Sequence, residues 1–135
     1  MMLLLADPFY IKLCNEIMKQ LLQLEELAML FLGYYAFSLL SFPWWLFFVL
    51  FLTPDIGMIG YMLNSKLGAW LYNIFHHKGI AILLFLFGIF YSQEFLQLAG
   101  AIIFSHASFD RILGYGLKYE NSFYHTHLGK IGNKK

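Results

Sequence analysis

Four long apolar stretches, separated by short polar turns, dominate the sequence between residues 27 and 113. In chain order they cover residues 27–42, 44–63, 67–91 and 95–113. A run of about 20 apolar residues is long enough to cross the hydrocarbon core of a bilayer as a helix. With 60% hydrophobic and 13% charged residues, the chain fits a lipid-embedded protein better than a water-soluble one. We therefore predict an all-α integral membrane bundle of four transmembrane helices, in a single domain of residues 1–135.

A further helix is predicted before the first apolar stretch. Asp7 followed by Pro8 is a helix start signal, because aspartate caps the first turn and proline fits its first position. Over residues 8–23, pairs of apolar residues alternate with lysine, asparagine and glutamine, which predicts an amphipathic interfacial helix. Two placements stay open for it: on the membrane surface, or packed against a cytoplasmic tail of residues 114–135.

Two of the apolar stretches carry helix-breaking residues in their interior. Thr53, Pro54 and Asp55 together form a helix start signal inside the second stretch. In the third stretch, the cationic and glycine residues of 76–79 are typical of a helix C-terminus. We therefore expect spans two and three to be kinked or broken at these points.

The basic residues predict an orientation. In a four-span protein, the lysines that precede, separate and follow the spans all fall on one side; they are Lys12, Lys19, Lys66, Lys118, Lys130, Lys134 and Lys135. The turns at residues 41–43 and 92–94 carry no basic residue. By the positive-inside rule, both termini are expected in the cytoplasm.

Composition excludes several classes of function. A net charge of +1 without a basic patch argues against a nucleic-acid partner. The single cysteine, Cys14, cannot form an internal disulfide or anchor a thiolate zinc site. The first residues lack the basic start and apolar run of a cleavable signal peptide. No motif for nucleotide binding, serine hydrolysis or zinc proteolysis occurs.

Ionisable residues inside the apolar stretches identify a candidate site. His106 and Asp110 are four residues apart, so they share one face of a helix. Counted from the predicted cytoplasmic helix ends, Asp55 and His76 lie at a similar depth. An isolated ionisable group in hydrocarbon costs ~2.5–3.5 kcal/mol, so these groups should face one another. We expect one shared site that opens to the cytoplasm, with His127 from the tail at its mouth.

These residue types suit a divalent metal ion. Imidazoles and carboxylates without thiolates are the ligands of zinc, iron or manganese sites that keep a position open for water. The predicted metal ligands are His76, His106, Asp110 and His127, and the predicted catalytic carboxylates are Asp55 and Asp110. Asn73 and Arg111 are predicted to orient these groups from a second layer.

Each of these residues also has a purely local explanation. Asp55 could cap its own half-helix, His76 could bond Tyr72 or Asn73, and Asp110 could pair with a neighbouring base. Three functions therefore stay open: metal-dependent hydrolysis of a lipid-like or membrane-delivered substrate, a small proton- or ion-coupled carrier, and a structural membrane protein. The lipid bilayer is the expected partner, and a homo-oligomer is compatible with the sequence.

The sequence from residue 44 to residue 132 resembles a known family. Its motifs are His106-x-x-x-Asp110-Arg111-x-x-Gly114-Tyr115-Gly116-Leu117-Lys118-Tyr119, Phe123-x-x-Thr126-His127-Leu128-Gly129, Pro54-Asp55, Gly60-Tyr61 and Tyr72-Asn73-x-x-His76. These are similar to a small bacterial membrane family known as domain of unknown function 4260. The resemblance implies a multi-pass protein of the bacterial cytoplasmic membrane. It favours His76 over His77 and His127 over His125, and it implies no activity.

A looser likeness is to membrane-bound metal-dependent hydrolases. The steps Pro54-Asp55, His77-Lys78-Gly79 and Thr126-His127 are similar to the pattern of those enzymes. The spacing departs from that pattern, and Gly57 stands where a second carboxylate is expected. Because of this departure, the likeness does not imply that Asp55 is a metal ligand.

Overall fold

The computed structural model describes residues 7–132, most of which are helical, with one short hairpin in the tail. The helices are α1 (Pro8–Ser38), α2 (Trp45–Leu50), a 3-10 helix (Thr53–Met62), α3 (Ser65–Phe75), α4 (Lys78–Phe90) and α5 (Glu94–Ile112). Strands β1 (His125–Thr126) and β2 (Gly129–Lys130) pair in antiparallel fashion. The predicted all-α class is confirmed.

Helix α1 joins two elements that the sequence analysis separates. It begins where predicted, since the Asp7 side chain accepts a hydrogen bond of 3.0 Å from the Phe9 amide. The helix then runs through Glu25 and Glu26 without a break, because neither residue disrupts helical geometry and Glu26 forms an ion pair with Lys78 of α4. The predicted interfacial helix and first span are therefore one continuous helix of 31 residues.

The predicted break in the second stretch is present, and it takes an unexpected form. Helix α2 ends at Leu50, whose carbonyl accepts a hydrogen bond of 2.6 Å from the Thr53 hydroxyl. From Thr53 onward the chain continues as a ten-residue 3-10 helix, longer than such helices usually are. Pro54 at its start lacks an amide donor, which favours a new helix start over continuation of α2.

Glycines allow this 3-10 helix to lie directly on α3. A Cβ atom at Gly57 would lie 2.9 Å from the Leu71 carbonyl oxygen, and one at Gly60 would lie 2.9 Å from that of Leu67. Only glycine permits so close an approach of two backbones. A carboxylate side chain at position 57 would not fit in this contact.

The third stretch is broken where predicted, between α3 and α4. The two helices differ in direction by 46°. Asn64 caps the start of α3 by accepting a hydrogen bond from the Leu67 amide, and His77 caps α4 by accepting one from the Ile80 amide. At this break His77 is exposed and caps α4, whereas its neighbour His76 is buried.

Helix α5 lies at the centre of the fold and packs against both α1 and α4. A Cβ at Gly33 of α1 would lie 2.0 Å from the Ser105 hydroxyl, and one at Gly100 would lie 2.6 Å from the Ala81 carbonyl oxygen of α4. The apolar core beside these contacts consists of Phe37, Phe47, Leu98, Ala101 and Ile102. Close packing on two sides fixes α5, which carries two of the candidate site residues.

One helical stretch of the described chain, Trp45–Met62, is long and apolar enough to cross a membrane, with a mean hydropathy of 1.6. The bent pair formed by α3 and α4 also passes this test when it is treated as one broken span. These findings support membrane association weakly. Four spans and cytoplasmic termini stay predictions.

Candidate metal centre

Four ionisable side chains from three elements converge on one point. Asp55 comes from the 3-10 helix, His76 from the end of α3, and His106 and Asp110 from adjacent turns of α5. One ligand atom from each residue lies within 4.8 Å of the ligand atoms of the other three. We call these residues the His/Asp cluster.

The two imidazoles face each other in the middle of the cluster. The Nε2 atoms of His76 and His106 are 3.0 Å apart. Asp55 Oδ1 lies 3.4 Å from the first of these nitrogens and 3.3 Å from the second. Asp110 approaches the same nitrogens at 3.3 Å and 3.7 Å, through its two different oxygens. Both carboxylates therefore flank the pair of nitrogens.

Backbone carbonyls determine which ring nitrogens face inward. His76 Nδ1 lies 2.8 Å from the Tyr72 carbonyl oxygen, and His106 Nδ1 lies 2.7 Å from that of Phe51. A carbonyl oxygen can only accept a hydrogen bond, so each Nδ1 must carry the proton. In the neutral rings both Nε2 atoms then present lone pairs to each other at 3.0 Å. This arrangement is repulsive unless a cation or a shared proton lies between them.

The separations that involve the histidine nitrogens of the His/Asp cluster are close to those around one metal ion. Metal–ligand bonds of 2.0–2.2 Å in tetrahedral geometry place neighbouring ligand atoms about 3.3–3.6 Å apart. The five nitrogen–nitrogen and nitrogen–oxygen separations in the cluster run from 3.0 to 3.7 Å. Backbone acceptors on the outer nitrogens are also typical of histidines that bind metal.

Exposure of the four side chains is uneven, and this defines the open side of the site. His106 and His76 are buried, with side-chain exposures of 1% and 3%, and Asp110 is 13% exposed. Asp55 is 33% exposed. A ligand other than these side chains would therefore reach the centre past Asp55.

Tyr72 supports the His/Asp cluster in three ways, of which sequence reasoning identified only one. Its carbonyl accepts from His76, its ring stacks on the His76 ring at 3.7 Å between centroids, and its hydroxyl donates to Asp110 Oδ2 at 2.7 Å. The spacing of four residues from His76 is the signal for the first two contacts. The contact with Asp110 spans 38 residues and leaves no local signal.

We predict that Tyr72→Phe weakens metal binding about tenfold, because outer hydrogen bonds to ligands typically contribute 10–100-fold in affinity. The substitution keeps the stacked ring and the carbonyl and removes only the bond to Asp110. Competition with a chromophoric chelator measures the change. Tyr61→Phe is the matched control, since the buried Tyr61 hydroxyl has no hydrogen-bond partner among the described residues. Equal losses in the two variants would contradict the assigned role.

The structure places Asn73 and His127 in contacts that anchor the tail. The Asn73 side chain accepts a hydrogen bond of 2.7 Å from the Lys118 amide and donates one of 2.8 Å to the Lys118 carbonyl. His127 Nδ1 accepts from the Leu117 amide at 2.8 Å. Neither side chain is among the four that converge, so the tail, as far as residue 132, closes over α3 without supplying a ligand atom to the cluster.

Two cationic side chains lie beside the His/Asp cluster. Arg111 follows Asp110 on α5, and its Nη1 donates to the Ala107 carbonyl at 3.0 Å. Lys118 is 5% exposed; its Nζ donates to the Phe123 carbonyl and lies 4.6 Å from the centre of the Tyr72 ring. Burial lowers the pKa of Lys118 to about 8, while Asp110 and Asp55 act in the opposite direction.

Comparisons with known proteins identify a family and no activity. The family described as a domain of unknown function (DUF4260) matches residues 19–131. No curated protein and no solved structure matches the chain. The looser likeness to membrane-bound metal-dependent hydrolases finds no support in these comparisons. Since the match covers most of the sequence, including every residue of the His/Asp cluster, the chain belongs to the DUF4260 family.

Proposed function

We propose that this protein is a membrane-embedded hydrolase whose His/Asp cluster binds one divalent metal ion and acts on a lipid-like substrate. The observation that carries the proposal is the pair of inward-facing imidazole nitrogens, 3.0 Å apart and flanked by two carboxylates. Zinc, iron and manganese suit this ligand set. A bound ion would remove the repulsion between the lone pairs and would compensate the charges of Asp55 and Asp110.

The chemistry follows from the open side of the site. A divalent ion held by His76, His106 and Asp110 would lower the pKa of a bound water to about 7 and would polarise the bond to be cleaved. Asp55, the most exposed carboxylate of the cluster, is placed to take up the proton of that water. Asp110 keeps its hydrogen bond to Tyr72 and serves as a ligand. In this scheme Asp55 has the catalytic role, and Asp110 the ligand role, that the sequence suggests.

A lipid-like substrate is favoured by the surface around Asp55. Exposed apolar side chains are close to Asp55 in the chain: Leu52, just before the 3-10 helix, is 64% exposed, and Ile56 and Ile59, on the adjoining side of that helix, are 62% and 60% exposed. In water such a surface would be unfavourable, whereas against acyl chains it is neutral or favourable. A substrate dissolved in the membrane can reach Asp55 across this surface.

Metal analysis and turnover together test the proposal. Protein purified in a mild detergent should contain about one divalent ion per chain, lose it to a strong chelator and regain it from zinc, iron or manganese salts. Asp55→Asn should reduce hydrolysis of a short-chain lipid ester more strongly than it reduces metal content. If the purified protein holds no metal and none can be loaded, the proposal is wrong.

A second candidate, an ion-coupled carrier, is favoured by the two helix breaks. The 3-10 helix and the α3–α4 bend both lie next to the cluster, and broken helices surround midplane ion sites in transporters. In this case a proton shared between the imidazoles replaces the tightly held metal. Proton-coupled flux into vesicles without stoichiometric metal would favour the carrier. Absence of flux, metal and turnover would leave a structural role.

We also predict the membrane topology. Four spans with both termini in the cytoplasm follow from the lysine distribution and the positive-inside rule. A reporter fused after Gly132 should be active only as a cytoplasmic reporter, and one inserted at residues 92–94 only as a periplasmic reporter. A periplasmic signal from the C-terminal fusion would refute this topology.

A further inference from the structure

The first half of α1 extends beyond the rest of the fold. Gln23 Nε2 donates to the Ile112 carbonyl at the end of α5, and the Ser41 amide donates to the Glu94 side chain at the start of α5. Residues 23–41 therefore run along the full length of α5, and residues 8–22 project past its end. Within residues 8–22 every residue is exposed except Cys14, which is partly buried. At 1.5 Å per residue, this segment is ~22 Å long.

Apolar residues of this segment follow the heptad spacing of a coiled coil. They are separated alternately by four and three residues, and we call them the α1 seam: Tyr10, Cys14, Ile17, Leu21 and Leu24. The same spacing continues through positions 28, 31 and 35. Those later positions lie beside the bundle, where lipid can cover them. The α1 seam is thus the part of a longer heptad pattern that lies beyond α5.

The α1 seam faces away from the bundle. On α1, Gln23 and Gly33 contact α5, and Glu26 pairs with Lys78 of α4. At 100° per residue, these three positions lie roughly 180° around the helix axis from the seam. A partner can therefore pack on the α1 seam without displacing any of these contacts.

The bilayer surface is a poor cover for the α1 seam. With α5 crossing the bilayer as we predict, α1 leaves the hydrocarbon core near Gln23 and continues outward. Lying flat on the membrane would require a sharp bend, and such kinks occur mainly at proline, glycine or serine. Residues 9–32 contain none of these three residue types, and α1 is unbroken. The seam therefore lies in polar surroundings, where an uncovered apolar stripe is unfavourable.

The residues that flank the α1 seam match those of a second copy in parallel orientation. Two of the six flanking positions are polar, Gln20 and Glu25, and the other four are Ile11, Leu13, Met18 and Leu27. In a parallel two-stranded coiled coil, a flanking residue meets the residue five positions later on the other helix. Gln20 of one copy then meets Glu25 of the other, where its amide can donate to the carboxylate. An antiparallel pair would not bring these two residues together.

The surface is also large enough for a stable dimer. The large side chains of the α1 seam and its apolar flanks are between 39% and 62% exposed. Each presents roughly 100 Å², so the eight of them offer ~800 Å² per copy, which is the size of a standard interface. Two copies in one membrane share the same orientation, which favours a parallel pair.

We propose that the protein forms a parallel two-fold dimer in which the α1 seams of two copies pack against each other outside the membrane. A two-fold axis along the membrane normal relates the copies, and the same residues face each other on both sides of it. The inference does not rest on metal binding, because no residue of the His/Asp cluster belongs to α1. Each copy keeps a complete cluster of its own.

The single cysteine of the chain tests this arrangement without any substitution. In the parallel dimer the two copies of Cys14 face each other, close enough for a disulfide. Mild oxidation of the full protein in membrane vesicles should convert most of it to a covalent dimer on a non-reducing gel. Cys14→Ser combined with Lys12→Cys moves the thiol to the opposite face of α1 and should crosslink about tenfold less. No crosslink at Cys14, or equal crosslinking at both positions, would overturn the proposal.

Molecular mass in a mild detergent provides a second test. Light scattering should give a mass of two chains for the original protein and of one chain for Ile17→Glu combined with Leu21→Glu, because these changes place charges in the seam. Lys12→Glu combined with Lys19→Glu, on the opposite face, is the matched control and should stay dimeric. A mass of one chain, or of three or more, for the original protein contradicts the dimer, as does a dimer that survives both seam glutamates. Metal content should be equal in all three proteins; a seam variant that loses it has lost its fold, and the Cys14 crosslink then decides.

Discussion

Replacement of His106 by alanine should lower the affinity for a divalent metal more than ~100-fold, since loss of an outer partner alone costs 10–100-fold. The substitution removes one of the two central nitrogens and leaves the Phe51 carbonyl without its imidazole donor. Bound metal should fall from about one ion per chain to a trace after gel filtration, and metal-dependent turnover should disappear with it. Elemental analysis of protein purified in parallel measures the change.

The control for this experiment is another histidine of the same chain. His125 lies in the tail hairpin, where its ring bonds the Asn121 side chain, and it is outside the His/Asp cluster. His125→Ala should therefore retain metal. If His106→Ala retains metal as tightly as His125→Ala, then His106 is a locally satisfied residue and the centre is not a metal site.

Gly100→Val should give the largest loss of stability, about 3 kcal/mol or more, since overpacking of a close contact usually costs 1–3 kcal/mol. A Cβ at this position would lie 2.6 Å from the Ala81 carbonyl oxygen and 2.8 Å from the Phe85 amide nitrogen. Both are backbone atoms, so the clash can be relieved only by separating α5 from α4. The thermal midpoint in detergent should fall by several degrees, and metal affinity should fall with it because α5 carries His106 and Asp110.

Ala28→Val provides the comparison, because Ala28 is an exposed position of α1. A β-branched residue there costs only a few tenths of a kcal/mol in helix propensity. An equal thermal midpoint in Gly100→Val and Ala28→Val would show that α4 and α5 do not pack as closely as the structure has them.

The helix boundaries that local chemistry controls could be predicted well. Asp7 with Pro8 starts α1, the Thr53–Asp55 step starts the 3-10 helix, and residues 76–79 separate α3 from α4. These signals depend on caps and on proline geometry within one turn, so the sequence contains all the required information. The continuity of α1 through Glu25 and Glu26 could not be predicted from the sequence. Two adjacent charges indicate a membrane boundary unless a partner such as Lys78 is known.

For the candidate site, the sequence determined the residues that share a face and the need for them to converge. His106 and Asp110 are neighbours on any helix, and the cost of isolated charge in an apolar bundle brings Asp55 and His76 toward them. Tertiary structure alone decided the contacts that cross the fold. Three sets of hydrogen bonds join residues that are distant in sequence or separated by a turn. They connect Tyr72 with Asp110, Asn73 with Lys118, and the Leu117 amide with His127. Such pairings depend on how α3, α5 and the tail pack together, and no local spacing encodes that packing.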